Sequence, residues 1–486
     1  MSEESSREFD VIVVGGGAVG ENVADRVAQA GLTTVVIEAE LVGGECSYWA
    51  CIPSKALLRP GSVLHAAQAV PGAAEAISGT LHANTVLSRR DWFTNRWQDD
   101  SQIQWLDNAG IELLRGRARI TGPREVQVDG INGNSYALKA RHAVVIATGS
   151  TPVIPDVQGI RSVPFWTTRG ATSAKEVPRR LAVLGGGVAG VELAQAFARL
   201  GSAVTIVARG RLLRAFPEEA AELVAAGLRA DGVELRLGKE PRQIGQNDDG
   251  SLSLAFDDCR TVIADRLLVA SGRRPAVENL GLENVGVDLD DGKHPRLATD
   301  STGLVEGSAS DGTNGLWLYA AGDAAGKVLL THQGKYEARA TGDAIAARAA
   351  GNLRGAAPPW SPAARTADEF AVPNVVFTDP EIASVGPSLE RARENGLRAG
   401  SVELPINVSG SQLYASDYKG WAQLVVDEDR RVVVGATFAG PGVAELLHAA
   451  TIAIVGEVTL GRLWHAVPAF PTMSEVWLRL LEKYGL

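Results

Sequence analysis

Two glycine-rich segments of similar pattern constrain the fold of this chain more than any other feature. In the first, residues 9–14 are almost uniformly apolar, which is typical of a buried parallel strand, and Gly15-Gly16-Gly17-Ala18-Val19-Gly20 follows directly. A helix-like stretch from Glu21 to Ala30 and a second strand from Thr33 to Ile37 come next. Strand, GxGxxG, helix and strand in this order form the βαβ unit that binds a dinucleotide. We therefore predict an α/β fold built around such a unit.

Each glycine of this first loop has a mechanical reason. Gly15 permits the tight turn, Gly17 lets the backbone approach a pyrophosphate, and Gly20 allows close packing of helix on strand. The amides at the helix N-terminus then face the phosphates. Glu38 ends the second strand 23 residues after Gly15, the usual distance for an acid that binds a ribose 2′-hydroxyl.

The second segment repeats the pattern in the middle of the chain. Residues 181–184 are strand-like, 191–200 helix-like and 204–207 again strand-like. Between the first strand and the helix lies a second GxGxxG loop with Gly185, Gly187 and Gly190. Two such units predict two dinucleotides, and in one enzyme that combination suggests a flavin and a nicotinamide.

The second copy has no acid at the end of its second strand. Ala208 and Arg209 stand there, with Arg211 and Arg214 just beyond. Arginines can pair with a 2′-phosphate, and no carboxylate would repel it, so the pattern favours NADPH over NADH. The alternative is that these arginines belong to a solvated loop.

Two of the three cysteines lie close together in residues 43–55, at Cys46 and Cys51. A close pair in a cytosolic protein more often performs redox or metal chemistry than stabilises the fold. Metal is the weaker interpretation, because a structural zinc site needs four ligands and the sequence has no second Cys/His cluster. Pro53 marks a helix start, which places Cys51 just before a helix N-terminus where a thiolate is favoured. Lys55 lies about one turn into this predicted helix. Two unrelated buried cysteines remain the alternative.

Length and charge set the broad class of protein. With 486 residues the chain should divide into two to four domains, and a net charge of −10 argues against binding to nucleic acid or to an anionic membrane. No run is long and apolar enough for a membrane span, and the acidic N-terminus lacks the apolar core of a signal peptide. We expect a cytoplasmic protein.

Further motifs complete the pattern. Buried strands end in Thr148-Gly149, in Gly272 and in Gly322-Asp323, and residues 371–486 form a third unit with hairpin-like strands and helices. Together with the Cys-x4-Cys segment, these motifs resemble the pyridine nucleotide–disulfide oxidoreductases that include dihydrolipoamide dehydrogenase, glutathione reductase and mercuric reductase. The resemblance covers essentially the whole chain.

The resemblance implies a domain plan and a set of cofactors. It implies two Rossmann-like dinucleotide-binding domains and a C-terminal α+β dimerisation domain. Residues 1–160 and 300–365 would bind FAD, residues 161–299 would bind NADP or NAD, and residues 366–486 would form the interface of a homodimer. Asp323 would contact the ribityl–pyrophosphate region of FAD. The residues of the matching motifs that would contact the cofactors are Gly44, Thr148, Gly149, Gly272, Gly322 and Asp323.

The resemblance also implies roles at the reaction centre. Cys51 would be the thiol against the flavin that forms the charge-transfer thiolate, and Cys46 would be the exposed interchange thiol. Lys55 would sit by the flavin N5 and pair with Glu192. Hydride would pass from nicotinamide to one face of the flavin and an electron pair to the disulfide on the other.

One position departs from the family. Its disulfide reductases have a C-terminal His-Pro-Thr-x-x-Glu whose histidine, supplied across the dimer, is the acid–base for the interchange thiol. This chain has Phe470-Pro471-Thr472-Met473-Ser474-Glu475, so the base is replaced by phenylalanine and Glu475 has no imidazole to orient. His465 is interpreted as structural rather than as a substitute, and the effect of the bulky Ser47-Tyr48-Trp49-Ala50 between the cysteines is left open.

Three functions from different classes follow. The first is an FAD enzyme that passes electrons from NAD(P)H to a small acceptor such as a quinone, through the Cys46–Cys51 disulfide or directly from the flavin. The second is a disulfide reductase or dihydrolipoamide dehydrogenase that uses another base. The third is a flavin redox sensor with little turnover. Mercuric reductase activity is not expected, because that enzyme needs a C-terminal cysteine pair and this sequence has no cysteine after Cys259.

Overall fold

A computed structural model describes residues 7–131, 133–287, 289, 295–308 and 316–486. Residues 1–6 lie outside the described residues, so the expectation that the N-terminus is not a signal peptide stays a prediction there. The described strands are β1 Arg7–Val14, β2 Thr34–Glu38, β3 Glu112–Gly122, β4 Glu125–Gly130, β5 Ser135–Ile146, β6 Ser150–Pro152, β7 Arg180–Leu184, β8 Ala203–Ala208, β9 Glu234–Leu237, β10 Gln243–Gln246, β11 Leu252–Ala255, β12 Thr261–Ala264, β13 Arg266–Val269, β14 Arg273–Pro275, β15 Leu318–Ala320, β16 Pro373–Val376, β17 Glu381–Val385, β18 Ala399–Pro405, β19 Trp421–Asp427 and β20 Val432–Gly440. The described α-helices are α1 Ala18–Gln29, α2 Gly44–Tyr48, α3 Cys51–Gln68, α4 Ala83–Phe93, α5 Asp100–Asn108, α6 Thr168–Thr172, α7 Val188–Arg199, α8 Glu218–Ala230, α9 Thr331–Ala349, α10 Leu389–Glu394, α11 Ser409–Tyr414, α12 Leu447–Val455, α13 Leu460–Leu463 and α14 Glu475–Tyr484.

The chain folds into two compact units, each assembled from three separate stretches. The first consists of Met1–Ile52, Asp91–Val153 and Arg273–Asp368, and the second of Pro53–Arg90, Ile154–Gly272 and Glu369–Leu486. The domain plan predicted from the sequence divides the chain differently. Residues 53–90, predicted to belong to the FAD domain, lie in the second unit, and residues from 273 onward, predicted up to 299 to belong to the NAD(P) domain, lie in the first. The plan stays a prediction.

The first unit is organised around one parallel sheet. Strands β3, β2, β1, β5 and β15 lie side by side and parallel, and β4 pairs antiparallel with the outer parts of β3 and β5. The central strands are rich in Val and Ile and buried on both faces, as parallel strands covered by helices must be. Helices α1 and α9 pack against each other in this unit.

The second unit contains a smaller sheet of the same kind and an antiparallel one. Strands β13, β7, β8 and β9 are all parallel, while β10, β11 and β12 form an antiparallel meander. The C-terminal part is an antiparallel sheet in the order β16, β17, β20, β19 and β18, with α12 and α14 packed on it. The predicted α/β class with a C-terminal α+β region is confirmed.

The cysteine segment differs from its sequence prediction at two points. Helix α3 begins at Cys51 itself rather than at Pro53, which lies within its first turn. A proline is tolerated there because the first amides of a helix have no partner inside the helix. The short helix α2, from Gly44 to Tyr48, was not predicted.

Candidate active site

The first glycine loop has no room for side chains. Gly15 has a φ of +104°, and a Cβ there would lie 2.4 Å from the Ala147 carbonyl oxygen. A Cβ on Gly20 would lie 1.8 Å from the Gly15 oxygen, and one on Gly44 would lie 2.9 Å from the Gly17 Cα. The loop, the start of α1 and the start of α2 therefore meet backbone to backbone, as the close approach of a pyrophosphate to a helix N-terminus requires.

Glu38 closes this loop at the end of β2. Its Oε2 accepts a hydrogen bond from the Gly16 amide (2.7 Å) and its Oε1 accepts one from the Glu40 amide (2.7 Å). The carboxylate is thus fixed beside the loop, where the predicted ribose contact requires it. Backbone cradle and oriented acid together fit the adenosine half of FAD.

Asp323 is a half-buried acid of the first unit, in the Gly-Asp motif that follows β15. Ser150 donates a hydrogen bond from its hydroxyl to Asp323 Oδ2 (2.5 Å), and burial raises the pKa of the Asp323 carboxyl. Gly322, with a φ of +67°, starts the turn that presents Asp323. Thr148, in the adjacent predicted motif, instead donates its hydroxyl hydrogen to the Ala276 carbonyl (2.7 Å), so its side chain fixes the backbone.

Arg273 joins Ser150 and Asp323 in this cluster, a role that was not predicted from the sequence. Its guanidinium donates to the Ser150 hydroxyl (2.7 Å) and to the Ser150 carbonyl (2.6 Å), and it lies 3.7 Å from the Glu45 carboxylate. Glu45 immediately precedes Cys46. Arg273 therefore links the cysteine segment to the Asp323 turn, although the three positions are far apart in sequence.

The two cysteines lie at the junction of α2 and α3, with Cys46 inside α2 and Cys51 as the first residue of α3. Thr331, the first residue of α9, has its hydroxyl 3.2 Å from the Cys51 sulfur. The hydrogen bond to Cys51 and burial both raise the pKa of the Cys46 thiol. Cys46 is half-buried rather than exposed as expected, because α2 packs against the start of α1. Cys51 is the first residue of α3, at the helix N-terminus, where the backbone dipole favours negative charge.

The two aromatic residues between the cysteines are now assigned. Tyr48 is buried, and its hydroxyl donates to Gln102 Oε1 (3.1 Å). The Trp49 ring is half-buried with its centroid 5.7 Å from that of Tyr48. Tyr48 therefore anchors α2 to α5 within the first unit.

In the second unit, Lys55 and Glu192 form the predicted ion pair. Lys55 Nζ lies 2.7 Å from Glu192 Oε2, and Glu192 Oε1 accepts a hydrogen bond from the Phe377 amide (2.9 Å). The ammonium also lies 4.8 Å from the centre of the Phe377 ring, within the range of a cation–π contact. Glu192 is buried, and both of its carboxylate oxygens have partners.

The second glycine loop repeats the geometry of the first. Gly185 has a φ of +128°, and a Cβ on Gly190 would lie 2.3 Å from the Gly185 oxygen. A Cβ on Gly187 would meet no atom within 4 Å, so the space beside the loop is open to a ligand. Gly272, with a φ of +126°, follows β13, the strand beside β7.

The arginines after β8 divide into two groups. Arg209 and Arg214 are exposed, and Arg209 is loosely paired with Glu240 at 3.9 Å. Arg211 instead donates to carbonyls of its own loop, including that of Phe216 (2.7 Å). Arg211 therefore stabilises the loop, and Arg209 and Arg214 are the two available for a phosphate.

The C-terminal segment places Phe470 at the surface of the second unit, with 75% of its area exposed. Glu475 begins α14 and is buried; its Oε1 accepts from Arg479 Nη2 (2.6 Å), whereas its Oε2 has no hydrogen-bond partner among the described residues. His465 is exposed in the same segment. The carboxylate of the family motif is thus retained without a histidine to orient.

Comparison with known proteins agrees with this geometry. Residues 9–343 match the pyridine nucleotide-disulphide oxidoreductase family, and residues 372–480 match its dimerisation domain. The chain belongs to the pyridine nucleotide–disulfide oxidoreductase family, in its class I. The resemblance drawn from the sequence motifs is confirmed, and so are the expected cofactors, since family members use FAD and NAD(P)H.

Individual relatives and structures are similar over nearly the whole chain. The chain is 32% identical to a dihydrolipoyl dehydrogenase from Thermus scotoductus, over 98% of this chain and 97% of that protein. It is 30% identical to a mercuric reductase from Staphylococcus aureus, over 96% of this chain and 81% of that protein. Among solved structures, the HOCl-induced flavoprotein disulfide reductase RclA from Escherichia coli superposes with a TM-score of 0.80 at 24% identity, covering 98% of this chain and 99% of RclA. LpdA from Mycobacterium tuberculosis gives a TM-score of 0.81 at 22% identity, covering 99% and 100%. At such identities the two structures establish the fold alone.

Within the part of the chain that the structure describes, none of the helices has the length and apolar character needed to cross a bilayer.

Proposed function

We propose that this protein is an FAD-dependent oxidoreductase that takes electrons from NADPH and delivers them to a small diffusible acceptor such as a quinone. The family relationship supports electron transfer from NAD(P)H through FAD. The observation that favours a non-disulfide acceptor is Phe470, which stands where disulfide reductases of the family have their acid–base histidine. A phenyl ring holds no proton, whereas proton transfer by a positioned side chain is typically worth about 10²–10⁴-fold in rate.

One group of the described residues would bind the cofactor, and another would carry out the thiol chemistry. The first glycine loop and Glu38 would hold the adenosine half of FAD, and Asp323 would meet the ribityl–pyrophosphate region. When bound, FAD supplies the two-electron carrier between NAD(P)H and the acceptor. Lys55, held by Glu192, places a positive charge on α3, and Cys51 and Cys46 hold the electron pair as thiolate and thiol.

The experiment is a comparison of acceptors with the holoenzyme. We expect NADPH oxidation in the presence of 1,4-benzoquinone to exceed that with lipoamide or with 5,5′-dithiobis(2-nitrobenzoate) by about 100-fold or more in kcat/KM. Equal or faster turnover of either disulfide would contradict the proposal. It would favour the second candidate, a disulfide reductase that uses another base.

The preference for NADPH is part of the proposal. Arg209 and Arg214 are exposed beyond β8, and no carboxylate ends that strand. We expect Arg214→Gln to raise the KM for NADPH about tenfold and to leave the KM for NADH within a factor of two, because only NADPH has the 2′-phosphate. Arg229→Gln, an exposed arginine on α8, is the control and should change neither KM. Equal effects on both nucleotides would contradict the assignment.

We also propose that the protein works as a homodimer, because it carries the dimerisation domain of its family. Exposed apolar side chains of this region support the proposal: Leu413, Tyr414, Ile452, Trp464, Val467 and Phe470. The cytoplasmic location stays an expectation from the sequence.

A further inference from the structure

The segment that carries the two cysteines is held by a short turn and the first residues of α5, which together we call the clamp, residues 95–102. The clamp follows α4 in the chain and lies in the first unit. The Trp97 indole N–H donates to the Tyr48 carbonyl (3.1 Å), and the Tyr48 hydroxyl donates to Gln102 Oε1 (3.1 Å). Tyr48 lies between the two cysteines in the sequence. The clamp therefore fixes both the backbone and the side chain of a residue that joins one cysteine to the other.

The clamp begins with a backbone conformation that residues other than glycine rarely adopt. Asn95, Arg96 and Trp97 have φ values of +46°, +51° and +58°, which makes three left-handed residues in a row. Their Cβ atoms crowd the backbone in this region, so such a run persists only where surrounding contacts hold it. The Trp97 amide donates to the Thr94 carbonyl (2.8 Å), and the Asn95 side-chain amide donates to the Gln98 carbonyl (2.9 Å). An unfavourable turn at the very residue that binds the cysteine segment indicates a role beyond connecting two helices.

A second attachment lies just before the cysteines. Asp99 of the clamp is buried, and its Oδ2 accepts a hydrogen bond from the Val42 amide (2.7 Å). The Arg115 guanidinium donates to the same carboxylate oxygen and fixes the acid in place. The stretch from Val42 to Tyr48, with Cys46 inside it, is thus attached to the clamp at both ends.

The Tyr48 attachment is independent of pH near neutrality. Tyr48 is 1% exposed, and burial together with the nearby Asp99 carboxylate raises the pKa of its phenol to about 12. The hydroxyl therefore keeps its proton and its hydrogen bond to Gln102. The Trp97 indole N–H does not titrate at all.

A fixed segment matters because an S–S bond places narrow limits on the positions of two sulfur atoms. A segment that is held in place meets these limits more often than a mobile one, so one thiol has a higher effective concentration at the other. This advantage applies to the disulfide and not to the separate thiols. Fixing the segment therefore favours the oxidised state of the pair.

We propose that the clamp sets the redox equilibrium of the cysteine pair and shifts it towards the disulfide, with Trp97 as the positioning residue. Trp97 and Tyr48 act by holding α2 and exchange neither electrons nor protons with a substrate. The proposal requires Cys46 and Cys51 to be a redox pair, as the proposed function does, but it does not depend on the identity of the acceptor.

The test is the equilibrium of the holoenzyme with mixtures of reduced and oxidised dithiothreitol. In the oxidation, two cysteine thiols form one S–S bond and give two electrons and two protons to oxidised dithiothreitol, which becomes the dithiol. Samples are quenched with acid, and their free thiols are labelled with a maleimide and counted by mass spectrometry. Wild type and variants all carry Cys259→Ser, so that only the pair is counted.

We expect Trp97→Phe, which keeps an aromatic ring but has no N–H, to lower the equilibrium constant for disulfide formation about tenfold. That change corresponds to a reduction potential about 30 mV less negative. Tyr48→Phe, which lacks only the hydroxyl, should shift the constant in the same direction. Trp92→Phe, at a 68% exposed position on α4, is the matched control and should leave the constant within a factor of two.

Two results would overturn the proposal. The first is an unchanged constant in Trp97→Phe, or in Tyr48→Phe where Trp97→Phe does not fold, and a lower thermal midpoint without a changed constant would count as this result. The second is a shift of either variant towards the disulfide. A wild type that forms no Cys46–Cys51 disulfide at any ratio would overturn the assignment of the redox pair and this inference with it, whereas a failure to reduce benzoquinone would leave the inference standing.

Discussion

Glu192 shows how a single buried charge depends on its neighbours. Its side chain is 3% exposed and holds the Lys55 ammonium on one oxygen and the Phe377 amide on the other. A carboxylate removed from water in this way is stable only while its partners remain. The pair therefore matters for stability as well as for the charge it places on α3.

Removing the cation should be costly. We expect Lys55→Met to destabilise the second unit by about 2–4 kcal/mol, since Glu192 loses its counter-charge, and Lys55→Met with Glu192→Gln to recover much of that loss. The thermal unfolding midpoint of the holoenzyme measures both. Lys139→Met, which breaks an exposed contact with Glu125 at 4.0 Å, is the control and should cost less than about 1 kcal/mol. A loss in Lys55→Met no larger than in this control would contradict the account.

The elements nearest the glycine loops are the ones best predicted from the sequence. The strand that ends before Gly15 and the helix after it lie where the pattern places them, because apolar runs and glycine turns are local signals. Helix α2 was not predicted, since five residues without a strong helical period fold there through contacts such as Tyr48 with Gln102. The link from Arg273 to Glu45 joins distant segments, which one sequence cannot reveal.

The C-terminal segment before α14 allows a gain-of-function test. We expect Phe470→His to raise kcat/KM with a disulfide such as lipoamide by about 10²-fold, because it restores an imidazole upstream of the buried Glu475. Val467→His, in the same segment and 86% exposed, adds the same side chain away from the motif and should give no such gain. No increase for Phe470→His would indicate that other features of the site exclude disulfides.

A buried ion pair connects helix α9 to the turn at Gly322. Arg365, which is fully buried, donates to Glu337 Oε2 (3.1 Å), and the same oxygen accepts the Gly322 amide (2.7 Å). We expect Arg365→Met to destabilise the protein by about 3–5 kcal/mol, seen as a fall of the thermal midpoint by about 6 °C or more and as weaker retention of FAD. Arg398→Met, which removes an exposed pair with Asp429, should change the midpoint by only about 1–2 °C. Similar midpoints for the two variants would contradict this role.

For the whole molecule, the proposed dimer has a direct consequence. Ile452 is 56% exposed on α12 in the isolated chain. If the apolar residues of the dimerisation domain are covered by a second copy, Ile452→Asp should shift sedimentation at micromolar concentration from dimer towards monomer, because a charge would be buried in the interface. Ile131→Asp, at a 72% exposed position in the first unit, should leave the dimer intact. A wild-type monomer would contradict the proposal.

The central claim is that a family member without the acid–base histidine passes electrons to a small acceptor such as a quinone. Steady-state NADPH oxidation with benzoquinone, compared between the wild type and Cys46→Ala, tests it most directly. If the acceptor draws its electrons through the cysteine pair, the wild type turns over rapidly and the Cys46→Ala rate collapses. Equal rates would show that electrons leave from the flavin and that the dithiol is not the exit. Absence of quinone turnover in the wild type would contradict the central claim itself.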